Sequence, residues 1–276
     1  MPLPDPHRLF DLSGKTALVT GGATGIGRMA SDALAAAGAR VLLASRKADA
    51  CEAAAREINA ALQTPRAEGF AGDVASEDGV AALAAAVRER TDALHILVNN
   101  AGRSWGAPLE TFPYKAWDTV LSLNVTGLFA LTQSLAPLLE AAASDDDPAR
   151  VVNLGSVMGE IAMGERVYSY AASKAAVHHL TRVLAKEWAA RRITVNALAP
   201  GPFESRMTAF ATADPAMAQK VAATVPLGRL GRADDIAGAL LYLTGRGGAY
   251  LTGAILPLSG GVNVTTGPPL FEEAYS

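Results

Sequence analysis

Short apolar runs alternate with alanine-rich stretches along the chain, and this alternation constrains the fold more than any other feature. "TALVT" (16–20) and "ARVLLAS" (39–45) are each followed by a stretch with helical spacing. Apolar strands that alternate with helices are covered on both faces, as in a parallel, doubly wound sheet. The sequence therefore predicts an α/β fold with helices on both faces of the sheet. The remaining predicted strands lie at 68–74, 94–102, 150–156, 193–200 and within 249–261, and the long predicted helices lie at 48–62, 115–142 and 168–190.

The chain is predicted to form one domain. Its 276 residues are 50% hydrophobic, which is enough for a large core, and neither a change in composition nor an internal repeat divides them. We expect a single domain over 1–276, with a core at about 10–263 and a short C-terminal tail at 264–276. Residues 202–230 are rich in Ala, Pro and Met without a clean period, and we predict that they leave the sheet as a substrate lid. The three aspartates at 145–147 are interpreted as a solvated loop.

Composition and charge exclude several classes of protein. The net charge is −3 and no segment is a run of Lys and Arg, so we expect neither a nucleic-acid partner nor an anionic membrane. No stretch approaches 18 uncharged apolar residues, and the start "MPLPDPHRLF" lacks the apolar segment of a signal peptide. Cys51 is the only cysteine, which fits a reducing cytoplasm. The four histidines show no zinc-ligand spacing, so they are interpreted as surface or packed residues and no metal site is predicted.

A glycine-rich turn joins the first predicted strand to the helix that follows it. In "TGGATGIG" (20–27), Gly21, Gly25 and Gly27 tolerate unusual backbone angles and let the backbone approach a pyrophosphate at the helix N-terminus. Their spacing differs from G-x-G-x-x-G, and the alternative is an ordinary tight turn. The position between a strand and a helix favours a nucleotide site.

The end of the second predicted strand indicates which dinucleotide is bound. An acidic residue there would accept a hydrogen bond from the ribose 2′-hydroxyl and repel a 2′-phosphate. This chain instead has Ser45, Arg46 and Lys47, a hydroxyl and two cations that suit a phosphate. We therefore expect NADP(H), with NAD(H) less favoured. The alternative is a solvated basic turn.

The stretch "YSYAASK" (168–174) contains one tyrosine that is paired with a lysine. On a helix, residues four apart share a face, so Tyr170 lies beside Lys174, whereas Tyr168 lies beside Ala172. A nearby ammonium favours the phenolate and lowers the phenol pKa from its ordinary value of about 10. We therefore predict that Tyr170 is an acid/base group and that Tyr168 is not.

Several motifs occur together in a fixed order: the glycine loop, "NNAG" (99–102), Ser156, the Tyr170–Lys174 pair and "PG" (200–201). On these motifs the chain resembles the short-chain dehydrogenase/reductase family over about residues 10–263. The resemblance implies a Rossmann-type domain with a seven-stranded parallel sheet, a nicotinamide cofactor and a homotetramer. Segments such as "SWGAPLE" and "LGSVMG" are similar to the NADPH-dependent 3-oxoacyl reductase of rhamnolipid synthesis and its relatives.

The resemblance also implies the roles of individual residues. Ser156 would hydrogen-bond the substrate oxygen, Lys174 would also reach the ribose, and Asn124 would hold a water on the proton path. The implied catalytic residues are Asn124, Ser156, Tyr170 and Lys174. The implied cofactor-binding residues are Gly21, Thr24, Gly25, Ile26, Gly27, Ser45, Arg46, Lys47, Asp73, Val74, Asn100, Ala101, Gly102, Tyr170, Lys174, Pro200, Gly201, Phe203 and Ser205.

Three features depart from the family pattern. Thr24 stands where many NADP-dependent relatives have a basic residue, and Ser156 and Tyr170 are one residue further apart than is common. Ser259 replaces the usual Asp of a late "DGG", which we interpret as a structural change.

These features favour an NADP(H)-dependent oxidoreductase that interconverts a ketone and a secondary alcohol, with a 3-oxoacyl thioester as the first substrate candidate. The alternative within this class is a dehydrogenase of a polyol, sugar acid, steroid or other secondary alcohol. An NADP-binding regulator without catalysis and a structural oligomer are the alternatives from other classes, and the intact Tyr170–Lys174 pair disfavours both. The substrate pocket is expected to have an apolar wall formed by Met158, Met163, Phe203, Met207 and Phe210.

Overall fold

A seven-stranded sheet forms the centre of the molecule, and every neighbouring pair of its strands is parallel. The computed structural model describes residue 3 and residues 5–163, 166–203 and 214–265. The strand order is β3-β2-β1-β4-β5-β6-β7, which confirms the predicted doubly wound α/β fold. The strands are β1 (Thr16–Thr20), β2 (Arg40–Ser45), β3 (Ala67–Ala71), β4 (Ile96–Asn99), β5 (Ala149–Leu154), β6 (Ile193–Pro200) and β7 (Ile255–Leu258).

Helices cover both faces of this sheet. Helices α2, α3 and α10 contribute to the core on one face, and α4, α6 and α8 contribute to the core on the other. The helices are α1 (Pro6–Phe10), α2 (Gly25–Ala36), α3 (Ala48–Leu62), α4 (Glu77–Arg88), α5 (Tyr114–Leu121), α6 (Leu128–Ser134), α7 (Ala136–Ala142), α8 (Tyr168–Trp188), α9 (Pro215–Ala223) and α10 (Ala233–Thr244).

Strand β1 shows why an apolar run in this sheet is continuous rather than alternating. Leu18 pairs in register with Leu42 and Leu97, and all three belong to one core cluster. The next residue, Val19, pairs with Leu43 and Val98, which belong to the cluster on the opposite face. Because successive side chains point to opposite faces, a strand that is buried on both sides needs an apolar residue at every position.

The helix predicted at 115–142 is interrupted, and this prediction is corrected. A π-helical segment (Ser122–Gly127) separates α5 from α6, and Pro137 lies in the first turn of α7. Proline lacks an N–H and its ring collides with the preceding turn, so the chain bends there. Within the described residues no single helix is long and apolar enough to cross a membrane; residues 114–134 and 136–142 pass that test only as a pair bent by 53°.

The aspartate run at 145–147 is only partly a solvated loop. Asp147 forms ion pairs with Lys15 at 2.6 Å and with Arg150 at 3.0 Å, and both cations are more than 90% buried. One carboxylate therefore joins the start of β1 to the start of β5. Asp145 forms an ion pair with Arg192 at the surface, whereas Asp146 is exposed.

The strand order places a crevice at the carboxyl ends of β1 and β4. The chain runs outward from β1 to β3 and then returns to the other side of β1, where β4 lies. At such a reversal, the loops after the two central strands leave in opposite directions and open a crevice between them. Thr20 and Asn99 end these two strands, so the glycine loop and the "NNAG" segment face each other.

Candidate active site

A cavity of about 830 Å³ occupies this crevice, and most of the predicted site residues line it. Gly27, Lys47 and Asn124 do not line the cavity, and Ser205, Met207 and Phe210 lie outside the described residues. The predicted residues that do line it are Gly21, Thr24, Gly25, Ile26, Ser45, Arg46, Asp73, Val74, Asn100, Ala101, Gly102, Ser156, Tyr170, Lys174, Pro200, Gly201 and Phe203.

The glycine loop has the backbone conformation and the space that its sequence predicts. Gly21 and Gly25 have φ values of +66° and +55°, a region that favours glycine. A Cβ atom at Gly27 would overlap the carbonyl oxygen of Gly21. Gly27 therefore allows the start of α2 to pack closely against the glycine loop. Helix α2 begins at Gly25, and its N-cap Thr24 makes no side-chain capping bond. Gly25 and Ile26 line the cavity, and within the described part of the chain no side chain caps this end of α2, which suits an anion site.

A small hydrogen-bond network holds the two central loops together. The Asn100 side-chain amide donates to the carbonyl oxygens of Thr20, at 2.9 Å, and Gly21, at 3.2 Å. The Thr20 hydroxyl oxygen accepts the backbone N–H groups of Asn100 and Ala101, both at 3.0 Å. Sequence reasoning overlooked Thr20, although a strand-ending threonine opposite an asparagine could have suggested it. These bonds fix the shape of the floor on which a pyrophosphate would lie.

At the end of the cavity near β2, the Ser45 hydroxyl is less available to bind a 2′-phosphate than the sequence suggests. Its hydroxyl donates to the carbonyl of Lys47 at 3.3 Å and accepts the Lys47 backbone N–H at 3.2 Å. Arg46 lines the cavity and is exposed, and its side chain forms no ion pair with any described residue. Arg28, next to the glycine loop, is paired with Asp32 and Glu57. Arg46 is therefore the cation that is available to a 2′-phosphate.

At the other end, three of the predicted catalytic residues converge from two elements. Ser156 follows β5 and is 6% exposed, and Tyr170 and Lys174 lie one turn apart on α8. The Lys174 Nζ is 5.6 Å from the centre of the Tyr170 ring and donates to the Leu154 carbonyl at 2.6 Å. The Ser156 hydroxyl hydrogen-bonds the Tyr170 phenol and accepts the Met158 backbone N–H at 3.2 Å.

The predicted lowering of the Tyr170 pKa is wrong. Burial raises the pKa of Tyr170 above its ordinary value of 10, and the hydrogen bond with Ser156 opposes that rise only in part. The ammonium of Lys174 donates to the Leu154 carbonyl, and its nitrogen lies 5.6 Å from the centre of the Tyr170 ring. Burial also lowers the pKa of Lys174 to about 8. Tyr170 is therefore a neutral phenol near pH 7, and Lys174 is mostly protonated.

Asn124 has a structural role that its predicted role did not include. It lies in the π-helical segment and is 1% exposed. Its amide donates to the Arg103 carbonyl and to the Ser173 hydroxyl, and its side-chain oxygen accepts the Arg103 N–H, each at 2.9 Å. The side chain thus ties the loop after "NNAG" to α8. That Asn124 also holds a water on the proton path stays a prediction.

Tyr168 packs against other aromatic rings rather than facing the cavity. Its ring meets Phe112 edge to face at 5.1 Å, and Phe112 in turn meets Trp117 at 6.2 Å. Tyr170 lines the cavity, two residues further along α8. Of the two tyrosines only Tyr170 lines the cavity, and its role as the acid stays a prediction.

A family model described as enoyl-(acyl carrier protein) reductase matches residues 21–263. Together with the fold and the site, this match shows that the chain belongs to the short-chain dehydrogenase/reductase family, as the sequence motifs predicted. The predicted class, an oxidoreductase that acts on CH–OH and C=O groups, is likewise confirmed.

Particular relatives resemble the chain along almost its whole length. It is 46% identical to a rhamnolipids biosynthesis 3-oxoacyl-[acyl-carrier-protein] reductase of Pseudomonas aeruginosa, over 94% of this chain and all of the relative. It is 40% identical to a galactitol 2-dehydrogenase (L-tagatose-forming) of Cereibacter sphaeroides, over 94% of this chain and 99% of the relative. A solved active-site complex of Pseudomonas aeruginosa RhlG with NADP superposes with a TM-score of 0.90 at 46% identity, covering 93% of this chain and 99% of that one.

Proposed function

We propose that this protein is an NADP(H)-dependent reductase of 3-oxoacyl thioesters. The observation that carries the proposal is the convergence of Ser156, Tyr170 and Lys174 on one end of a cavity whose far wall is apolar. The likeness to a 3-oxoacyl reductase and to an NADP complex supports the substrate and the cofactor. We also propose a cytoplasmic location, which the single, buried and free Cys51 supports.

When a nicotinamide cofactor is bound, it supplies the hydride that the carbonyl carbon accepts. The carbonyl oxygen then needs a proton, which the neutral Tyr170 phenol provides. The Ser156 hydroxyl hydrogen-bonds that oxygen as negative charge develops on it, and such a donor typically contributes roughly 10²- to 10³-fold to the rate. The protonated Lys174 stabilises the phenolate that remains after the transfer. The net change is one hydride to carbon and one proton to oxygen.

The Lys174 ammonium has hydrogen-bond donors available for a cofactor. An ammonium has three protons, and one of them is given to the Leu154 carbonyl. The other two are available to ribose hydroxyls and to the phenolate. Gly102 lies beside this nitrogen: a Cβ atom there would be 3.8 Å from the Lys174 Nζ and 3.3 Å from the Asn124 side-chain oxygen. The cavity is therefore open next to the ammonium.

The lining of the substrate end favours an acyl chain over a polyol. A polyol needs a hydrogen-bonding partner for each hydroxyl, whereas an acyl chain gains from apolar contacts. Arg103 adds a cation whose side chain has no acidic partner among the described residues, and it suits a phosphate of a thioester carrier or the carboxylate of a sugar acid. The apolar residues at this end are Val157, Met158, Met163, Val167 and Val221.

A panel of ketones with NADPH tests the proposal. We expect acetoacetyl-coenzyme A to have a higher kcat/KM than 5-ketogluconate or tagatose. A preference for either sugar would instead support the dehydrogenase of a sugar acid or polyol. Tight binding of NADPH without reduction of any ketone would instead support an NADP-binding regulator without catalytic activity.

The role of Arg103 is tested with two thioesters that differ in charge. We expect Arg103→Gln to raise the KM for acetoacetyl-coenzyme A, which has phosphates, and to leave the KM for the uncharged acetoacetyl-N-acetylcysteamine unchanged. The exposed Arg166 lies in the segment before α8, and its carbonyl accepts the N–H of Ala107 from the loop that contains Arg103, so Arg166→Gln provides the matched control. An equal rise in KM for both thioesters would show that Arg103 does not bind the anionic group.

We further propose that the protein is a homotetramer. The predicted helical surfaces carry exposed apolar side chains, Phe129 on α6 and Val183 on α8, and a second group includes Tyr242 and Tyr250. Exposed apolar side chains on several elements support contacts between copies of the chain. Sedimentation at micromolar concentration should give about four times the chain mass of 28.4 kDa, and a monomer would refute the proposal.

A further inference from the structure

His178 is a buried histidine on α8 that the proposed chemistry does not use. It follows Lys174 by one helical turn and Tyr170 by two turns, so the three side chains lie along one stripe of the helix. Its ring is 2% exposed. The neighbouring His179 is exposed on another face of α8. Because buried imidazoles need partners for two nitrogen atoms, the surroundings of this ring decide its role.

One of those nitrogens contacts the backbone of a catalytic residue. The backbone N–H of Ser156 donates to the His178 Nε2 at 3.3 Å. Nε2 must therefore be unprotonated, and the neutral ring carries its proton on Nδ1. Nδ1 is buried and makes no hydrogen bond within the described residues, and the carboxylate of Glu160 lies 3.8 Å away.

The segment that contains Ser156 is shaped around this ring. A Cβ atom at Gly155 would overlap the imidazole, and one at Gly159 would lie 2.9 Å from its Cε1. The two glycines of "LGSVMG" therefore leave room for His178 on either side of Ser156. The imidazole and the serine backbone fit together as one unit.

We propose that His178 is a positioning residue, which holds the backbone of Ser156 so that the serine hydroxyl meets both Tyr170 and the substrate oxygen. The inference rests on the proposed function, because it concerns the hydride-transfer step. Ser156 adopts an extended backbone at the end of β5, and its N–H is buried. Without an acceptor at Nε2 that N–H would be unsatisfied, and the strand end could relax only by moving the hydroxyl.

The ring stays neutral through the working range of pH. Burial is the main cause that lowers the pKa of His178, to about 4, and the charges of Arg182 and Lys174 lower it further. Glu160 is the one acidic group near Nδ1 among the described residues, at 3.8 Å. The acceptor on Nε2 is therefore present at every pH at which the enzyme is expected to work.

The test compares substitutions that keep or remove the acceptor. His178→Gln places a carbonyl oxygen near the position of Nε2, whereas His178→Leu has no acceptor and His178→Asn is too short to reach Ser156. We expect the Leu and Asn variants to lose about 10- to 100-fold in kcat, the range that a small misplacement of a catalytic group produces. The Gln variant should retain most of the activity, and cofactor affinity should stay within about twofold in all three. His179→Leu is the matched control and should behave as wild type.

A double-mutant cycle separates positioning from a loss of stability. If His178 acts through Ser156, adding His178→Leu to Ser156→Ala should cause no further loss of kcat. Losses that multiply, a Leu variant within twofold of wild type, or a Gln variant as poor as Leu would each overturn the inference. If His178→Leu does not fold, the kcat values of His178→Gln and His178→Asn test the inference in the same way, because only Gln reaches Ser156.

A spectroscopic readout keeps this inference distinct from the proposed function. Long-range ¹H–¹⁵N correlation spectra of the full chain report which nitrogen of His178 carries the proton. We expect Nδ1–H, and a proton on Nε2 would overturn the contact whether or not the enzyme turns over. If the wild type reduces no ketone while Nδ1 is protonated, the proposed function fails and the contact stands.

Discussion

Tyr170 and Tyr168 lie two residues apart on α8 and have different surroundings. Tyr170 lines the cavity and hydrogen-bonds Ser156, whereas Tyr168 packs edge to face on Phe112 at 5.1 Å. We predict that Tyr170→Phe lowers kcat by roughly 10²- to 10⁴-fold, the typical contribution of a general acid. Tyr168→Phe should remain broadly active, because the aromatic contact is retained. Steady-state kinetics check both, and equal losses in the two variants would contradict the assignment.

Lys174 gives the reaction a pH dependence. Burial lowers its pKa to about 8, so its positive charge is present below that pH and is lost as the pH rises through it. We therefore predict that kcat/KM for ketone reduction falls above pH 8. The measurement is a pH–rate profile from pH 6 to 10.

A second measurement separates Lys174 from the phenol. Lys174→Ala should lower turnover and weaken cofactor binding, and its residual activity should show no fall at about pH 8. The same fall in the variant would assign the titration to Tyr170 or another group. An unchanged cofactor dissociation constant would remove the proposed ribose contact.

At the scale of the element, the loop after β2 determines the choice of cofactor. Arg46 is free for a 2′-phosphate, whereas the Ser45 hydroxyl is engaged with Lys47. A hydrogen bond to a charged group contributes roughly 1.5 to 3 kcal/mol. At about 1.4 kcal/mol per tenfold, one such contact predicts a preference for NADPH over NADH of roughly ten- to a hundredfold. Thr24 supplies no second cation from the glycine loop, so we expect the lower end of this range and some residual use of NADH.

A double substitution that removes the cation and adds a carboxylate tests this cofactor preference. Ser45→Asp with Arg46→Ala should reverse the preference, because the new carboxylate repels phosphate and accepts a hydrogen bond from the ribose. The measurement is kcat/KM with each cofactor. A wild-type enzyme that favours NADH would show that Arg46 points into solvent or lies over the adenine.

Helix α8 explains why the site and the core depend on each other. The helix presents Tyr170 and Lys174 to the cavity in its first turns, and it buries Leu184 and Trp188 in the core further along. The core anchors the helix, so the two catalytic side chains are held on a rigid element. The π-helical segment before α6 serves the same purpose, because it brings Asn124 against Ser173 of this helix.

At the scale of the whole molecule, Asp147 joins the amino-terminal ends of β1 and β5, which lie at the opposite end of the strands from the site. Its carboxylate pairs with Lys15 and Arg150, both buried. We predict that Asp147→Asn lowers the free energy of unfolding by about 3 kcal/mol, since removal of one partner leaves buried charges uncompensated. Urea denaturation measures this, and Asp146→Asn, at an exposed neighbour, is the control. Equal effects of the two substitutions would show that the ion pairs contribute little.

The sequence alone determined the layers of the fold and the reacting pair. The continuous apolar run at 17–19 within β1 is enough to predict a strand that is buried on both faces, because side chains alternate between the faces. The spacing of Tyr170 and Lys174 is enough to place them together, because a helix brings residues four apart onto one face. Both features are local, and the backbone geometry of a single element decides them.

Only the tertiary structure decided the features that depend on contacts between distant segments. The pKa of Tyr170 is raised because the folded chain buries the phenol, and burial has no local signal in the sequence. The hydrogen bond from Lys174 to the Leu154 carbonyl joins residues 20 positions apart and has no local signal either. The break in the helix predicted at 115–142, the pairing of Asp147 and the contact of His178 with Ser156 likewise depend on distant partners. Local spacing predicts which residues can meet on one element, whereas burial and the competition for hydrogen-bond partners are settled only when all the elements pack together.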